Sequence, residues 1–562
     1  MRRLFPCLLA SLFLAILAGT TPRVTRADEP AARAAADSTA ASGSSRPEEA
    51  NSVLERGLEQ ERSRDWAAAI ETYHGALERW PSRADFSRRL RLCEIHFKLN
   101  RRYTDGSFRN ILLRLPHDQA VELYDEVLER IQSNYVDPVP FEPLVRHGLD
   151  DLEVALRDPV FVKTNAPAAT PEGVNWLREA LRQHRAQLVI PDRSTAVRLA
   201  LSSSELARQS IGMASTPVLL EFTCGACDAL DDFTSYLTPD KLEDLYAMID
   251  GNFVGLGIEL KNDKEGLRLI GVIRGGPAWE AGLAAGELIV GVGGQPIKGL
   301  TLDEAANRLQ GTEGTTVELE VRRRDGSTRN HRLVRRHVEV ESVTKVKLVD
   351  PEDGIGYLQL GGFQKTSADE IDHAVEALSR QGMKILVLDL RGNPGGLLNV
   401  AVDIAERFID TGLIVSTRGR AQGQTQSLSA HGRAKWRMPL YVLVDHDSAS
   451  ASEILAGALQ DHQRATILGA RTYGKGSVQS IFSLRSAPAG LKLTTAKFYS
   501  PLNRPYSEQG VQPDIPILAR SSAKPAGDAP PPREESIIGD PELDSILATA
   551  IRTAKGRLPV PR

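Results

Sequence analysis

Two runs, Lys384–Leu390 and Leu440–Val444, are apolar almost without a break, and each gives way at once to a turn of small residues and then to a helical stretch. A strand with no polar face has to be buried on both sides, which happens in parallel sheets covered by helices. The first run leads into Arg391-Gly392-Asn393-Pro394-Gly395-Gly396 and a helix over Val400–Phe408. The second leads to Ser448-Ala449-Ser450-Ala451-Ser452-Glu453 and a helix over Ala451–Leu459. Ile355–Leu360 and Ala465–Leu468 read as further strands, and Ala368–Gln381 as an amphipathic helix. This alternation predicts an α/β core over residues 341–520, where active sites gather beyond the carboxyl ends of the strands. The glycine turn and the serine turn should therefore lie side by side.

A serine on a small-residue turn that opens an apolar helix is how an α/β scaffold exposes a nucleophile. Shortly after comes Tyr473-Gly474-Lys475-Gly476-Ser477-Val478-Gln479. Glycines flanking a lysine mark a tight turn or a close backbone approach, which is little use for packing. The pair suggests a serine nucleophile with a lysine base, a variant of the triad logic. A lysine works as a base only where burial lowers its pKa toward neutrality. Residue chemistry alone treats Ser448, Ser450 and Ser452 alike, because capping the helix is the default role of each. Glu453 stands at a capping-box position and reads as structural. Asp445 and His446 tempt a Ser-His-Asp reading, but their place in a post-strand loop explains them.

The chain has 562 residues, too many for one core. Its formal charge of −4 and the lack of a basic stripe argue against nucleic acid. Residues 1–27 have a basic start, an apolar run and a small-residue end at Thr25-Arg26-Ala27, as an export signal does. The predicted location is extracytoplasmic or periplasmic, with a retained N-terminal anchor as the alternative. Residues 28–48 read as a disordered leader. Over 49–115, Gly57, Ala69, Tyr73, Ala76 and Pro81 fit the small-and-aromatic spacing of a TPR-like helix pair. One repeat cannot bury its face alone. It is expected either to pack on later helices or to dock a protein adaptor.

Residues 116–244 read as a helical cap with an insertion, and 521–562 as a Pro-rich linker and a last helix. Cys224-Gly225-Ala226-Cys227 suggests a tight disulfide, with buried free thiols as the alternative and redox chemistry as a remote one. No metal motif or phosphate loop is present in the sequence, and no cofactor is expected.

From Phe253 the period becomes that of strands. Phe253-Val254-Gly255-Leu256-Gly257-Ile258-Glu259-Leu260 runs a glycine turn into a strand, and Gly275-Gly276-Pro277-Ala278 precedes a short helix. Leu288–Val292, a helix over Thr301–Gln310, and closing strands at Val317–Arg322 and Arg332–Val338 follow. In order and glycine placement, residues 245–340 resemble a PDZ domain. Such domains add a peptide's C-terminal strand to their sheet, and the resemblance makes the N–H groups of Leu256, Gly257 and Ile258 the carboxylate donors.

With Leu390–Gly396, Ser448–Glu453, Gly474–Gln479, Leu491–Ala496 and Gly510-Val511-Gln512-Pro513-Asp514 in order, the chain resembles the carboxy-terminal processing (tail-specific, S41-type) serine proteases. The resemblance covers roughly 122–150 and 231–518. It implies a multidomain α+β protein: helical N-terminal region, PDZ domain, and a protease core of the ClpP/crotonase-like type. It further implies Ser450 as nucleophile, Lys475 as base and Gln479 as orienting amide. The oxyanion donors would be the N–H groups of Ala451 and Gly396, the latter preferred over Gly395. The expected function is a serine endopeptidase that takes polypeptide substrates by their C-termini. The alternatives are a catalytically silent peptide-binding scaffold and a thiol oxidoreductase using Cys224 and Cys227. Neither oligomeric state nor physiological substrate is legible.

Overall fold

The computed structural model describes residues 45–300, 302–432, 434–517 and 537–556. The expected export signal (1–27), nearly all of the leader (28–48) and the Pro-rich linker (521–535) lie outside the described residues. The described chain forms two compact units. One holds the residues up to Gln132 with Val139–Asp240 and Ile481–Leu493; the other holds Ser133–Pro138, Lys241–Ser480 and the remainder.

The first unit is mostly helical. Its opening helices, α1 (Ser45–Arg62), α2 (Trp66–Arg79) and α3 (Ala84–Thr104), close around Ala69, Tyr73, Ala76, Phe86 and Leu90. Gly57 lies against the Tyr73 ring so closely that a Cβ there would collide with it. This is the close helix approach that the small-and-aromatic spacing anticipates. Asp65 caps α2 by accepting the Ala68 N–H at 3.2 Å. Helices α4 (Phe141–Ala155) and α5 (Ser215–Asp228) then cross through glycine. A Cβ on Gly225 would lie 2.6 Å from Gly148 Cα.

That crossing corrects the reading of Cys224-Gly225-Ala226-Cys227. The segment is the last turn of a buried helix, and both thiols are free and buried, as is that of Cys93, so the alternative of buried free thiols replaces the disulfide. Burial pushes both thiols up, away from the thiolate that redox exchange requires. The spacing belongs to helix packing, with small residues placed where two backbones meet.

The second unit contains the PDZ-like sheet and the α/β core. In the first, β1 (Asn252–Gly255) pairs antiparallel with a late strand, while β2 (Ile258–Asp263), β3 (Gly266–Val272), β4 (Leu288–Val292), β5 (Thr316–Arg322) and β6 (Thr328–Val334) form one antiparallel sheet in that order. The partner of β1 is β7 (Arg336–Glu339). The single closing strand expected over Arg332–Val338 is thus two. Between them Arg335 is buried and turns its guanidinium to the Leu309 carbonyl (2.7 Å) and the Thr315 hydroxyl (2.9 Å), so the chain changes sheets there.

The core sheet runs β8 (Val343–Asp350), β9 (Ile355–Leu360), β10 (Ile385–Asp389), β11 (Leu440–Val444), β12 (Ala465–Gly469) and β13 (Ile515–Pro516), with neighbours in that order. Every pairing from β9 onward is parallel, and only the edge strand β8 is antiparallel. Helices α6 (Ser367–Arg380), α7 (Leu398–Glu406) and α8 (Ala451–Asp461) cover one face with Ile371, Val375, Ile404 and Leu455. On the opposite face, Ile546, Leu547 and Ala550 of α9 (Ser545–Ala554) pack on Tyr357, Val387 and Leu443. The buried-strand reading of β10 and β11 is met, and their adjacency places the turns that follow them next to one another.

Candidate active site

Ser450 occupies the turn from β11 into α8 with φ 57° and ψ −112°. A side chain in the left-handed region costs energy, of order 1–3 kcal/mol, and persists only where the surroundings enforce it. Enforcement comes from bonds on both sides. The Ala449 N–H donates to the Asn393 carbonyl at 3.0 Å, and the Ser452 hydroxyl donates to the same carbonyl at 2.9 Å. The Ser450 N–H donates to Glu453 Oε2 at 2.8 Å.

The three serines, alike in sequence, separate here. Ser448 is fully buried; its hydroxyl donates to the Leu390 carbonyl at 2.8 Å and accepts from the Asp445 N–H at 3.0 Å. Ser452 is equally buried and committed to Asn393. Ser450 is the half-buried one. The Asp445 carboxylate accepts from the N–H groups of Gly392 (3.0 Å), Asp447 (3.1 Å) and Ser448 (3.0 Å). It stitches the glycine turn to the serine turn and is no partner for the exposed His446.

The glycine turn abuts the serine. A Cβ on Gly395 would stand 2.8 Å from Ser450 Cβ and 2.9 Å from Ala451 N, and Gly395 has φ 105°. Its N–H is already given to Asn393 Oδ1 at 2.8 Å. Gly396, at φ 145°, forms a parallel bridge with Phe363. In that bridge the Phe363 N–H and carbonyl bond Gly395 O and Leu397 N, which turns Gly396's own N–H the other way.

The lysine loop reaches the same place. The Tyr473 N–H donates to the Ser448 carbonyl at 3.0 Å. Glu453, fully buried, takes the Gly474 N–H (2.7 Å) and the Thr472 hydroxyl (2.6 Å) on Oε1, and the Lys475 N–H (2.9 Å) on Oε2. Burial pushes this carboxyl up, and its hydrogen bonds pull it back only partly. Both flanking glycines have steric reasons. Gly474 sits at φ 92° against the Glu508 backbone, and a Cβ on Gly476 would strike Ser507. On the following strand the Gln479 amide donates to the hydroxyls of Ser477 (2.9 Å) and Thr494 (3.3 Å).

In the PDZ-like sheet, β2 is an edge strand among the described residues, where one side of its backbone meets no further strand. The carbonyls of Leu256 and Gly257 accept from Ala278 and Ile273, both at 2.9 Å. A trans peptide points its C=O and the next N–H in opposite directions. The N–H groups of Gly257 and Ile258 therefore face away from that contact, and the Leu256 side chain is buried.

In the sequence Glu453 and Asp445 read only as a helix cap and a loop acid. The signal for Glu453 was present in its spacing from Ser450; its bonds to the lysine loop were not. No group of residues suited to a metal ion occurs among the described residues.

Residues 354–517 match peptidase family S41, and residues 270–323 match a PDZ domain. The carboxyl-terminal-processing protease of Synechocystis sp. is 38% identical over 288 residues, spanning 50% of this chain and 67% of that protein. The carboxy-terminal-processing protease of Bartonella bacilliformis is 38% identical over 295 residues, spanning 51% and 67%. Among solved structures, a photosystem II D1 C-terminal processing protease is 27% identical across 71% of this chain and 93% of that one, with a TM-score of 0.37.

Proposed function

The chain belongs to peptidase family S41, the carboxyl-terminal-processing serine proteases, and we propose that it cuts polypeptides with a Ser450–Lys475 dyad after its PDZ domain has taken hold of their C-termini. In this reading the Ser450 hydroxyl attacks the scissile carbonyl as the Lys475 amine takes its proton. The N–H groups of Ala451 and Gly396 receive the oxyanion; as the tetrahedral intermediate collapses, the scissile C–N bond breaks and the protonated lysine gives its proton to the substrate's leaving amine. Water, deprotonated by the same amine, hydrolyses the ester and frees the serine. Gln479 orients the lysine amine.

One observation carries the reading: Glu453 Oε2 accepts the backbone N–H groups of both Ser450 and Lys475, which fixes the two loops to each other through a buried atom. Support for the oxyanion pair is that Gly395 has spent its N–H on Asn393 while Gly396 has not turned its own toward Phe363. Carboxylate capture by the N–H groups of Leu256, Gly257 and Ile258 is supported by the edge position of β2 among the described strands. The substrates are unfolded or tagged chains with an apolar last residue, since an edge strand can only be extended by a segment free to be a strand.

The finer assignments belong to the same proposal. The core is of the ClpP/crotonase-like type. The TPR-like hairpin of α1 and α2 offers a protein adaptor its docking face, and the enzyme works outside the cytoplasm after removal of residues 1–27. Among the described residues no helix is long and apolar enough to cross a membrane.

The test incubates the full-length protein with an unfolded substrate ending in an apolar residue, beside Ser450→Ala and Lys475→Ala. Cleavage by the wild type alone is expected. Equal cleavage by either variant would sink the dyad.

A further inference from the structure

Arg391 immediately precedes the glycine turn, and its guanidinium is buried between two carboxylates. Asp389, at the end of β10, accepts the Arg391 Nε (2.9 Å), Nη2 (2.5 Å) and backbone N–H (2.9 Å), and also the Tyr357 hydroxyl (2.7 Å). The second carboxylate comes from far along the chain. Asp544 accepts Nη1 at 3.0 Å and Nη2 at 2.6 Å, a bidentate pairing. Asp544 is also the N-cap of α9, taking the N–H groups of Ile546 (3.1 Å) and Leu547 (3.0 Å), and it takes the Gly539 N–H at 3.0 Å. The family match ends at residue 517, so this segment lies beyond it.

We infer that Asp544 is a positioning residue for the oxyanion turn: through Arg391 the C-terminal segment 537–556 fixes where Gly392–Gly396 stands against Ser450. A planar guanidinium with both edges held by carboxylates has one allowed plane, and its backbone begins the turn. Without Asp544, two N–H groups of Arg391 face the apolar surface between α9 and the sheet, and the side chain must tilt to find water or other acceptors. The turn has little slack to absorb this. Gly392 is bonded to Asp445, Gly395 to Asn393, and Phe363 to the Gly395 carbonyl. An oxyanion donor displaced by about 1 Å costs on the order of a hundredfold in rate. Substrate capture at β2 is untouched by such a shift, so the loss falls on kcat.

The inference rests on the Ser450 reading above, and the experiment separates the two. Full-length wild type, Ser450→Ala, Asp544→Ser and Leu547→Ala are compared below their melting temperatures. Serine still caps α9 but is too short to reach Arg391, whereas Leu547→Ala loosens the helix and leaves the ion pair in place. The expected result is a fall in kcat of roughly ten- to a hundredfold for Asp544→Ser, with KM within about twofold of wild type. A matching drop is expected in the rate at which a fluorophosphonate labels Ser450, because the phosphonyl oxygen uses the same donors. Leu547→Ala should melt earlier yet keep its kcat. If Asp544→Ser melts earlier but turns over and labels like wild type, Asp544 is a stabilising residue only and the inference fails. If Ser450→Ala remains active, the dyad itself is wrong. Should Asp544→Ser not fold, Asp544→Asn, which keeps one acceptor, must show the same kcat-specific loss in smaller degree; wild-type kcat there overturns the inference.

Discussion

Ser450 and Lys475, on separate loops, donate their backbone N–H groups to one oxygen, Glu453 Oε2, at 2.8 and 2.9 Å. The other oxygen takes Thr472 and Gly474, so a single buried carboxylate accepts four hydrogen bonds from the two loops. The acid belongs to the serine turn's own helix, and through it the lysine loop is tied to that turn. Their mutual placement depends on an acid that is itself fully buried.

Glu453→Gln is accordingly far from conservative. Glutamine has one acceptor oxygen, and its amide would present donors to donors, leaving about two N–H or O–H groups unsatisfied at roughly 1–3 kcal/mol each. The variant should fold with reduced stability and lose at least about a hundredfold in kcat. Kinetics combined with denaturant unfolding check this; a folded Glu453→Gln with wild-type turnover would contradict it.

Gly395→Ala should abolish turnover. Its φ of 105° disfavours any side chain, and the added methyl would lie 2.7 Å from the Ala449 carbonyl and 2.8 Å from Ser450 Cβ. Strain of a few kcal/mol is expected, relieved by pushing the serine turn away. Fluorophosphonate labelling reads this directly, because a correctly placed serine would still react.

Amidating the C-terminus of a peptide substrate removes the charge that the Gly257 and Ile258 N–H groups are proposed to hold. Charge-assisted bonds of this sort are worth about 1.5–3 kcal/mol, so KM should rise by roughly tenfold or more while kcat changes little. An unchanged KM would mean that tails are not held by their carboxylate.

Gly225→Ala should destabilise the first unit by about 1–3 kcal/mol, because its methyl would enter the backbone of Gly148. Replacing Cys224 and Cys227 by alanine should leave proteolysis intact. Loss of cleavage after the cysteine changes alone would reopen the thiol reading.

His147 gives the same unit an acid sensitivity. Burial first, and then the nearby Arg91, push its imidazole down to about 4. Its folded pKa is below the unfolded one, so between the two the unfolded chain binds the extra proton. The stability it contributes is present above about pH 6.5 and is lost as the pH falls toward 4. From pH 7 to 5 the loss should be about 2 kcal/mol, and His147→Gln should flatten that slope. Parallel pH slopes for the two proteins would rule it out.

The sequence alone settles the class of the core and the position of its turns. β10 and β11 have no polar face, so they must sit inside a parallel sheet, and the turns after them must share its carboxyl edge. The first two helices, Ser45–Arg62 and Trp66–Arg79, are legible for a related reason: the spacing of Gly57, Ala69, Tyr73 and Ala76 records the face that is buried. The two-strand ending of the PDZ-like domain is not, because Arg335 bends the chain toward acceptors on another element. Nor is the place of Cys224-Gly225-Ala226-Cys227, whose meaning depends on Gly148 in a different helix.

The choice among three serines shows where the boundary falls. Ser448, Ser450 and Ser452 have equivalent local chemistry, and in the sequence only family likeness separates them. In the folded chain Ser448 and Ser452 spend their hydroxyls on Leu390 and Asn393, and Ser450 alone of the three is strained and half-buried. A hydrogen bond between residues distant in the chain leaves no periodic trace, so tertiary structure alone could assign the roles of Glu453, Asp445 and Asp544. Burial has a pattern that sequence records; partnership between buried polar groups is decided only when the partners meet.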